Sequence, residues 1–363
     1  VYENQDPGTL VGTLSVLPAN TVNVVYTLVA GNGDTDNAKF RIVGDKLQNN
    51  VKLDYEAQST YQVRVRATSP SNFIYEETFT ITINDVNEAP TLAAINNQAI
   101  CYTTAEQSIA LAGITAGPET AQTTTVTALS GTNGLLSSIT VVNNQIRYRI
   151  AAGQSGTSTI TVTVKDNGGT ANGGVDEFSR TFTLTVNPLP VIAISSNKGA
   201  SLSKGETAVL SATSSNGVSY SWSNATGIVS GQNSANLTVR PLQTTTYTVT
   251  ATSASGCTAT ATFTIEVKDD FMALQAENFI TPNGDGKNDT WVVHNIDAYP
   301  NHTLIIVDRA GRVVYEARNY KNDWDGTLKG APLQQGTYYY IFRFENQAIA
   351  NKKGFITIVR PDQ

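Results

Sequence analysis

Histidine, cysteine and methionine are scarce in this sequence: its 363 residues include 2 His, 2 Cys and 1 Met. The first histidine is His294. Everything upstream of it therefore lacks the imidazole that serine-type catalytic triads and most histidine-based zinc sites require. No disulfide is expected between Cys101 and Cys257, because they fall in different predicted domains and a disulfide needs Cα atoms within about 7 Å of each other.

Charge and long apolar runs are also sparse. Charged residues make up 15% of the chain, its 24 lysines and arginines form no cluster, and the net charge is −6. A nucleic-acid partner needs a basic face, so this class of partner is excluded. No apolar run approaches the roughly 18 residues of a membrane span, so the chain is not expected to cross a membrane. Because it starts at Val1 without an initiator methionine or signal peptide, we expect a fragment whose partners include upstream domains of the same polypeptide.

Threonine, valine, serine, asparagine and glycine are abundant, a composition that favours strands over helices. Apolar and polar residues alternate in residues 61–67, 158–164 and 180–186, as in half-buried strands. Pro90, the proline-rich residues 187–190 and the acidic residues 268–270 read as joints between domains. The sequence therefore predicts an all-β protein of four β-sandwich domains in tandem, forming an elongated rod, at residues 1–90, 91–188, 189–268 and 269–363.

Acidic residues recur in the first predicted domain, at Glu3-Asn4, Asp54-Tyr55-Glu56 and Asp85-Val86-Asn87-Glu88-Ala89-Pro90. Together with Pro7-Gly8-Thr9 and Phe40-Arg41-Ile42, these segments resemble those of a cadherin repeat, in the same order. The resemblance implies a β-sandwich that binds calcium at the end facing the next domain. The candidate ligands are Glu3, Asp54, Glu56, Asp85, Asn87 and Glu88.

The chemistry of this candidate site is consistent with calcium, which takes about six to eight hard oxygen ligands. The domain that follows has no clear Asp-x-Asp pair, and Ala67-Thr68-Ser69 stands where an Ala-x-Asp segment is usual. We therefore expect one calcium ion rather than three, and no other cofactor. The alternative interpretation is a solvated cluster of acidic turns that binds no metal.

The second and third predicted domains carry no catalytic motif. Residues 166–176 form a loop rich in glycine and acid, and turn chemistry explains it better than a metal does. In the third domain, Ser219–Asn224 places Trp222 on an early strand, and Thr245–Thr250 places Tyr247 on a late one. These segments resemble the Ig-like or PKD-like domains of bacterial surface proteins, and the resemblance implies fold only.

The last predicted domain opens with a loop of glycine, asparagine and aspartate that needs positive φ at several positions. The motif residues in this domain are Pro282, Asn283, Gly284, Asp285, Gly286, Asn288, Asp289, Trp291, Trp324, Asp325, Gly326, Gly336, Tyr338 and Tyr340. With them, residues 269–363 closely resemble the type B C-terminal sorting domain of the type IX secretion system in Bacteroidetes, also called the gliding-motility-associated C-terminal domain. The resemblance implies secretion to the outer face of the outer membrane and a partner in the outer-membrane export machinery.

A folded domain can act as an address only through its surface. The aromatic-rich final hairpin and the Asn-Gly-Asp-Gly loop are the two candidate surfaces. Asn283, Asp285 and Asp289 in this loop also have the alternate spacing of a calcium loop, although a closing bidentate Glu is absent. The alternative, slightly preferred, is a rigid turn held by its own side-chain hydrogen bonds.

Two functions fit the whole sequence. The first is the stalk and export-signal region of a large secreted adhesin, associated with gliding motility, that binds an unidentified surface or polysaccharide ligand. The second is the accessory tail of a secreted polysaccharide-degrading enzyme whose catalytic domain lies upstream. The segment before Val1 discriminates between them, since further repeats favour the adhesin and an acid-pair catalytic domain favours the enzyme. Within the chain itself no enzyme activity is expected.

Overall fold

The computed structural model describes residues 1–17, 23–345 and 351–360. In this part of the chain the helices are three short 3-10 helices, Asn37–Lys39, Ala171–Gly173 and Ile296–Ala298. None of them has the length or apolar character needed to cross a membrane. Nearly all other regular structure is strand, so the all-β prediction is confirmed.

Residues 1–84 form two three-stranded sheets. The strands are β1 Leu10–Thr13, β2 Val25–Leu28, β3 Phe40–Val43, β4 Lys46–Asn49, β5 Thr60–Thr68 and β6 Ile74–Thr82. Their orders are β1-β4-β3 and β2-β5-β6, and side chains from both sheets, such as Phe40 and Val63, share one core. A parallel bridge between Tyr2 and Asn84 brings the start of the chain beside the exit of β6. This bridge places the acidic segments of the first 90 residues at one end of the sandwich.

Residues 92–187 form a second pair of sheets around their own core. The strands are β7 Gln98–Cys101, β8 Gln107–Ala110, β9 Thr124–Ser130, β10 Leu136–Val142, β11 Gln145–Ile150, β12 Gly156–Asp166 and β13 Glu177–Asn187. The sheet orders are β10-β11-β8 and β7-β13-β12-β9, with Ile146 from one sheet and Val162 from the other fully buried in the same cluster. The loops β8–β9 and β12–β13 carry Glu119 and the residues after Asp166.

Residues 192–268 form a third pair of sheets. The strands are β14 Ile192–Ser196, β15 Ser201–Ser203, β16 Ala208–Ser214, β17 Gly217–Trp222, β18 Ile228–Ser230, β19 Asn236–Val239, β20 Thr245–Ser253 and β21 Thr258–Lys268. The sheet orders are β14-β16-β19-β18 and β15-β21-β20-β17. Trp222 and Tyr247 are buried in one core, as the resemblance to Ig-like domains implies. Each polar atom is satisfied, since the Trp222 indole N–H donates to the Ser234 carbonyl and the Tyr247 hydroxyl donates to the Thr226 carbonyl.

Residues 271–358 have a different arrangement, in which one five-stranded sheet dominates. The strands are β22 Gln275–Ala276, β23 Phe279–Ile280, β24 Val293–His294, β25 His302–Val307, β26 Val313–Arg318, β27 Thr327–Leu328, β28 Ala331–Pro332, β29 Gly336–Phe344 and β30 Lys352–Ile358. The large sheet has the order β23-β30-β29-β25-β26, and two-stranded ribbons pair β22 with β24 and β27 with β28. β25 and β26 form the hairpin that the sequence predicts around Arg309-Ala310-Gly311.

The four hydrophobic clusters draw on separate stretches of sequence, while the chain divides into two compact units, residues 1–187 and 188–363. The predicted domain boundaries and the rod-like arrangement remain predictions. Neither cysteine is free in the structure, so the expectation that both lack a disulfide is wrong. Their assignment to different predicted domains was not sufficient evidence that either thiol is unpaired.

Within residues 188–363, a charged contact joins the third core to the fourth. Arg240 donates two hydrogen bonds to the Asp297 carboxylate, at 2.7 and 2.8 Å, and its Nε donates to the Gly205 carbonyl at 2.9 Å. Because two parallel hydrogen bonds join the guanidinium to the carboxylate, they fix the relative orientation of the two groups as well as their distance. The guanidinium lowers the pKa of Asp297. Gly205 has no room for a side chain, because a Cβ there would lie 2.6 Å from the Ala298 Cβ.

Candidate functional site

An acidic cluster lies at the end of the first sandwich. One carboxylate oxygen from each of Glu3, Glu56, Asp85 and Glu88 lies within 4.8 Å of the others. Four of the six residues proposed as calcium ligands therefore come together, from three segments that are far apart in the sequence. Oxygens at this spacing can coordinate one hard cation, and without a cation their charges repel one another.

Glu3 holds the cluster in place. Its side chain is 1% exposed, so its charge needs fixed partners. Oε1 accepts a hydrogen bond from the Val86 N–H at 2.9 Å, and Oε2 accepts one from the Tyr55 N–H at 2.6 Å. A single carboxylate thus ties the start of the chain to both other acidic segments.

Glu119, from the loop between β8 and β9, adds a carboxylate that the sequence analysis missed. Its Oε1 accepts a hydrogen bond from the backbone N–H of Glu88 at 2.7 Å. Burial, and then the hydrogen bond to the Glu119 side chain, raise the pKa of Glu88 to about 7. Burial also raises the pKa of Glu56, with smaller contributions from the charges of Glu3 and Asp85. Among the described residues, Oε2 of Glu88 and Oε2 of Glu119 are buried and have no hydrogen-bond partner, which suits a pair of carboxylates that share a cation.

Asp54 and Asn87 lie outside this group. Asp54 Oδ1 accepts a hydrogen bond from the Ala57 N–H at 2.8 Å, which closes a local turn. The Asn87 side chain turns the other way, and its Nδ2 donates to Asp166 Oδ1 at 3.0 Å and to the carbonyls of Gly169 and Val175. Asn87 therefore fixes the loop after β12 to the segment between the first two cores.

Asp166 is the second residue that the sequence analysis missed. Its side chain is 4% exposed, and Oδ1 accepts hydrogen bonds from Asn87 and from the Gly168 N–H. Oδ2 is buried and has no hydrogen-bond partner in the part of the chain that the structure describes. The bond to Gly168 agrees with the turn predicted for residues 166–176. The same turn also places the buried Asp166 carboxylate beside the segment between the first two cores. The signal available in the sequence was an aspartate at the end of an alternating strand.

The Asn-Gly-Asp-Gly loop is held by its own side chains. Asp289 Oδ1 accepts hydrogen bonds from the N–H groups of Asn283 and Gly284, and Oδ2 accepts one from Gly286. These bonds, with that from Gly284 the largest, lower the pKa of Asp289. Asp285 Oδ1 accepts from the Lys287 N–H, and Asp285 Oδ2 accepts from the Asn283 side chain. The oxygens proposed for calcium are thus engaged within the loop, which supports the self-held turn; calcium here stays a prediction.

The glycines of the motif are placed where the backbone requires them. Gly284 and Gly286 both have φ of 82° and Asn288 has φ of 51°, as the sequence predicts for this loop. Gly326, at φ 74°, follows Asp325, whose Oδ1 accepts from the Thr327 N–H and hydroxyl. These residues shape turns.

The aromatic motif residues form the centre of the fourth core. Trp291 is 0% exposed, and its ring lies 4.9 Å from that of Tyr340 and 5.6 Å from that of Tyr320 between centroids. The Tyr320 hydroxyl donates to the Trp291 carbonyl and accepts from the Trp324 N–H. Buried polar groups of the aromatic residues are thus paired with one another, and Trp291 and Trp324 are held in fixed positions.

His302 is a buried neutral histidine in the same core. Its Nε2 accepts a hydrogen bond from the Tyr320 N–H at 2.9 Å, so its Nδ1 carries the proton and donates to the Tyr299 carbonyl at 2.7 Å. Burial lowers the pKa of His302. Because the unfolded chain then binds more protons than the folded chain, the stabilisation is complete above the ordinary histidine pKa of about 6.5 and is lost as pH falls below it.

We therefore expect the free energy of unfolding of residues 188–363 to fall by up to about 1.4 kcal/mol per pH unit below pH 6.5 because of His302. Denaturant unfolding at several pH values measures this slope. His302→Gln should remove that part of it. His294→Gln is the matched control, since the His294 side chain is 58% exposed, and it should keep the slope. If the free energy of unfolding falls equally with pH in the His302→Gln variant and in the unaltered chain, His302 is not the cause of the fall.

Comparison with known proteins identifies this last part of the chain. Residues 274–358 match the family model described as CHU_C Type IX secretion signal domain, so the resemblance seen in the sequence is confirmed. Such a signal indicates export to the cell surface or beyond and interaction with the type IX machinery. No curated protein matches the chain.

Among solved structures, the chain resembles protocadherin gamma B2 extracellular cadherin domains 3–6, at 14% identity and TM-score 0.37, over 100% of this chain and 97% of that chain. It also resembles Drosophila N-cadherin EC1–4, at 13% identity and TM-score 0.37, over 99% and 96%. A third similar structure is mouse cadherin-23 EC22–24, at 18% identity and TM-score 0.40, over 74% and 94%.

Proposed function

We propose that this chain is the stalk and export-signal region of a secreted cell-surface adhesin. The observation that carries the proposal is the type IX secretion signal at residues 274–358, which coincides with a stretch that has its own buried core. Three further β cores precede it, and they contain no histidine. Serial β-sandwiches that lack histidine suit a protein that holds a binding region away from the cell. Adhesion during gliding is the setting that the second name of the sorting-domain family suggests.

We further propose that the acidic cluster binds calcium. Glu3, Glu56, Asp85 and Glu88 would supply the ligand oxygens, with Glu119 contributing from the following core. A cation there would offset the cost of burying the Glu88 charge, which raises its pKa, and it would stiffen the connection between the first two cores. A stiff connection suits a stalk, because it limits bending between the cell surface and the binding region.

Deletion of residues 269–363 tests the export function. The chain is expressed with a signal peptide in a bacterium that has the type IX system, and its location is read by protease accessibility on intact cells. The truncated chain should accumulate in the periplasm, while the unaltered chain should reach the surface or the medium. Deletion of residues 1–90 is the control, since it also removes a core but leaves the signal. Normal surface display without residues 269–363 would defeat the proposal.

A further inference from the structure

The five-stranded sheet of the signal domain has an outer face that the core does not use. On β29, Tyr338, Tyr340 and Phe342 point into the core, so Tyr339 and Ile341 point outward. The register aligns Val313, Val307, Tyr339 and Phe355 across four neighbouring strands. Val313 is 54% exposed, and Tyr339 and Phe355 are each 47% exposed. One apolar row therefore crosses most of the sheet on its outer side.

The neighbouring positions extend this apolar row. Phe279, which pairs with Thr357 on β30, is 47% exposed on one side of the row. On the other side Ile341 pairs with Ile305, and a recess of about 310 Å³ lies among Tyr339, Ile341, Phe355 and Lys353. Soluble proteins seldom leave contiguous apolar surface uncovered, and a patch of this kind marks an interaction site.

Cations border the row on the Ile341 side. Lys353 pairs with Ile341 on the sheet, and Arg343 pairs with Thr303 one outward row further on. Both are exposed, and in the described part of the chain neither has an ion-pair partner. Arg318, at the end of the same row, is paired with Glu345. Glu316, which is exposed on β26, pairs with Ile305 at the opposite end of the Ile341 row from Lys353. The face is thus apolar in the middle, and its two cations lie on β29 and β30 at one border.

We propose that this outer face, defined by Val307, Val313, Tyr339, Phe355, Lys353 and Arg343 and here called the export face, docks onto a protein of the type IX export machinery. The partner surface it fits is apolar at its centre and carries carboxylates opposite Lys353 and Arg343. Tyrosine, phenylalanine and arginine are residues that protein interfaces use, and aromatic anchors beside a cation give both affinity and orientation. A membrane surface fits less well, because two cations attract anionic lipid only weakly and a flat sheet inserts few side chains into a bilayer. This inference rests on the proposed export function and names the surface that carries it out.

The test compares export of the full chain with that of matched variants, using the same protease-accessibility assay. Tyr339→Ser with Phe355→Ser should lower the exported fraction by about tenfold or more, as expected when two aromatic anchors of an interface are lost. Phe73→Ser with Tyr75→Ser is the control, since these two aromatics are 81% and 62% exposed outside the signal domain. It should change export by less than about twofold, as expected for exposed residues outside an interface.

Charge reversal gives an independent variant. Lys353→Glu with Arg343→Glu should also lower export, whereas Lys321→Glu with Lys329→Glu, on exposed residues of the same domain away from the face, should not. Each purified variant is checked for an unchanged thermal transition. If the serine variant fails this check, the charge-reversal pair decides the question alone.

Three results would overturn the inference. If the Tyr339/Phe355 variant is exported normally while the chain without residues 269–363 is not exported, the proposed role of the export face is wrong and the export function is still supported. If the unaltered chain and the chain without residues 269–363 reach the same location, the proposed export function is wrong, and so is the proposed role of the export face. Binding of the purified chain to phosphatidylglycerol vesicles at physiological salt, lost in the serine variant, assigns the face to the membrane instead.

Discussion

Tyr340→Ala is expected to lower the free energy of unfolding of the signal domain by about 3–5 kcal/mol, the range for truncating a large buried aromatic. The Tyr340 side chain is 6% exposed, and its ring contacts those of Trp291 and Phe342, at centroid distances of 4.9 and 5.7 Å. Gly354 lies opposite it on β30, where a Cβ would come within 2.5 Å of the Tyr340 hydroxyl. Because Gly354 has no side chain that could move inward, the cavity left by the Tyr340 ring stays open. The loss of free energy of unfolding is therefore expected near the upper end of this range.

The matched control is the preceding residue. Tyr339→Ala makes the same chemical change on the same strand, but on the face where the side chain is 47% exposed. Its effect should stay within about 1 kcal/mol. Denaturant unfolding monitored by tryptophan fluorescence measures both, because Trp291 and Trp324 lie in the same core as Tyr340. Similar losses for the two variants would contradict the assignment of opposite faces.

Millimolar Ca²⁺ is expected to raise the melting temperature of the unit formed by residues 1–187. At about a hundred times the dissociation constant, binding to the folded state alone stabilises by about 2.7 kcal/mol. For a unit of this size that amounts to roughly 5–10 °C. Calorimetric scans in Ca²⁺ and in chelator measure the shift. Identical scans would remove the calcium proposal.

The pH dependence of this shift has a definite sign. Glu88 has a pKa of about 7 in the folded chain against its ordinary 4.5, so the folded state holds more protons between these two values. Without calcium, stability is therefore expected to fall as pH rises from about 4.5 through 7. Calcium competes with those protons and neutralises the same charges, so its stabilising effect should grow with pH across that window.

The substitution Glu88→Gln distinguishes the effect of bound calcium on stability from the effect of the Glu88 charge itself. At pH 8 in chelator it should raise the melting temperature, because it removes a partly buried charge that Glu3 and Glu56 also repel. In Ca²⁺ the same variant should lose most of the calcium response. Glu77→Gln, an exposed glutamate on β6 outside the cluster, is the control and should leave both measurements unchanged. A Glu88→Gln variant with the full calcium response would show that calcium binds elsewhere on the chain.

Local patterns in the sequence predicted the strands well, because alternation is a property of neighbouring residues. Residues 61–67, 158–164 and 180–186 all lie within long strands, β5, β12 and β13. The turn at residues 283–289 was equally local, since its hydrogen bonds join residues at most six positions apart. In both cases the physical cause is contained in the window of sequence that carries the pattern.

The acidic cluster and its neighbours were only partly predictable, because their contacts join residues that are far apart in the sequence. Glu3, Glu56, Asp85 and Glu88 were recognisable from their segments. Glu119, in contrast, stands in a loop with no acidic motif and reaches Glu88 only because the second sandwich places that loop there. Asp54 and Asn87 show the converse: both belong to the right segments, but local turn geometry and a contact with Asp166 direct their side chains elsewhere.

The position of the strand Lys352–Ile358 has a consequence for protein synthesis. This strand lies inside the five-stranded sheet, with Gly336–Phe344 antiparallel on one side and Phe279–Ile280 parallel on the other. In the described part of the chain Phe279–Ile280 pairs with no other strand of that sheet, so the sheet cannot be completed until Lys352–Ile358 has left the ribosome. Translation products that stop before Lys352–Ile358 therefore lack a complete five-stranded sheet.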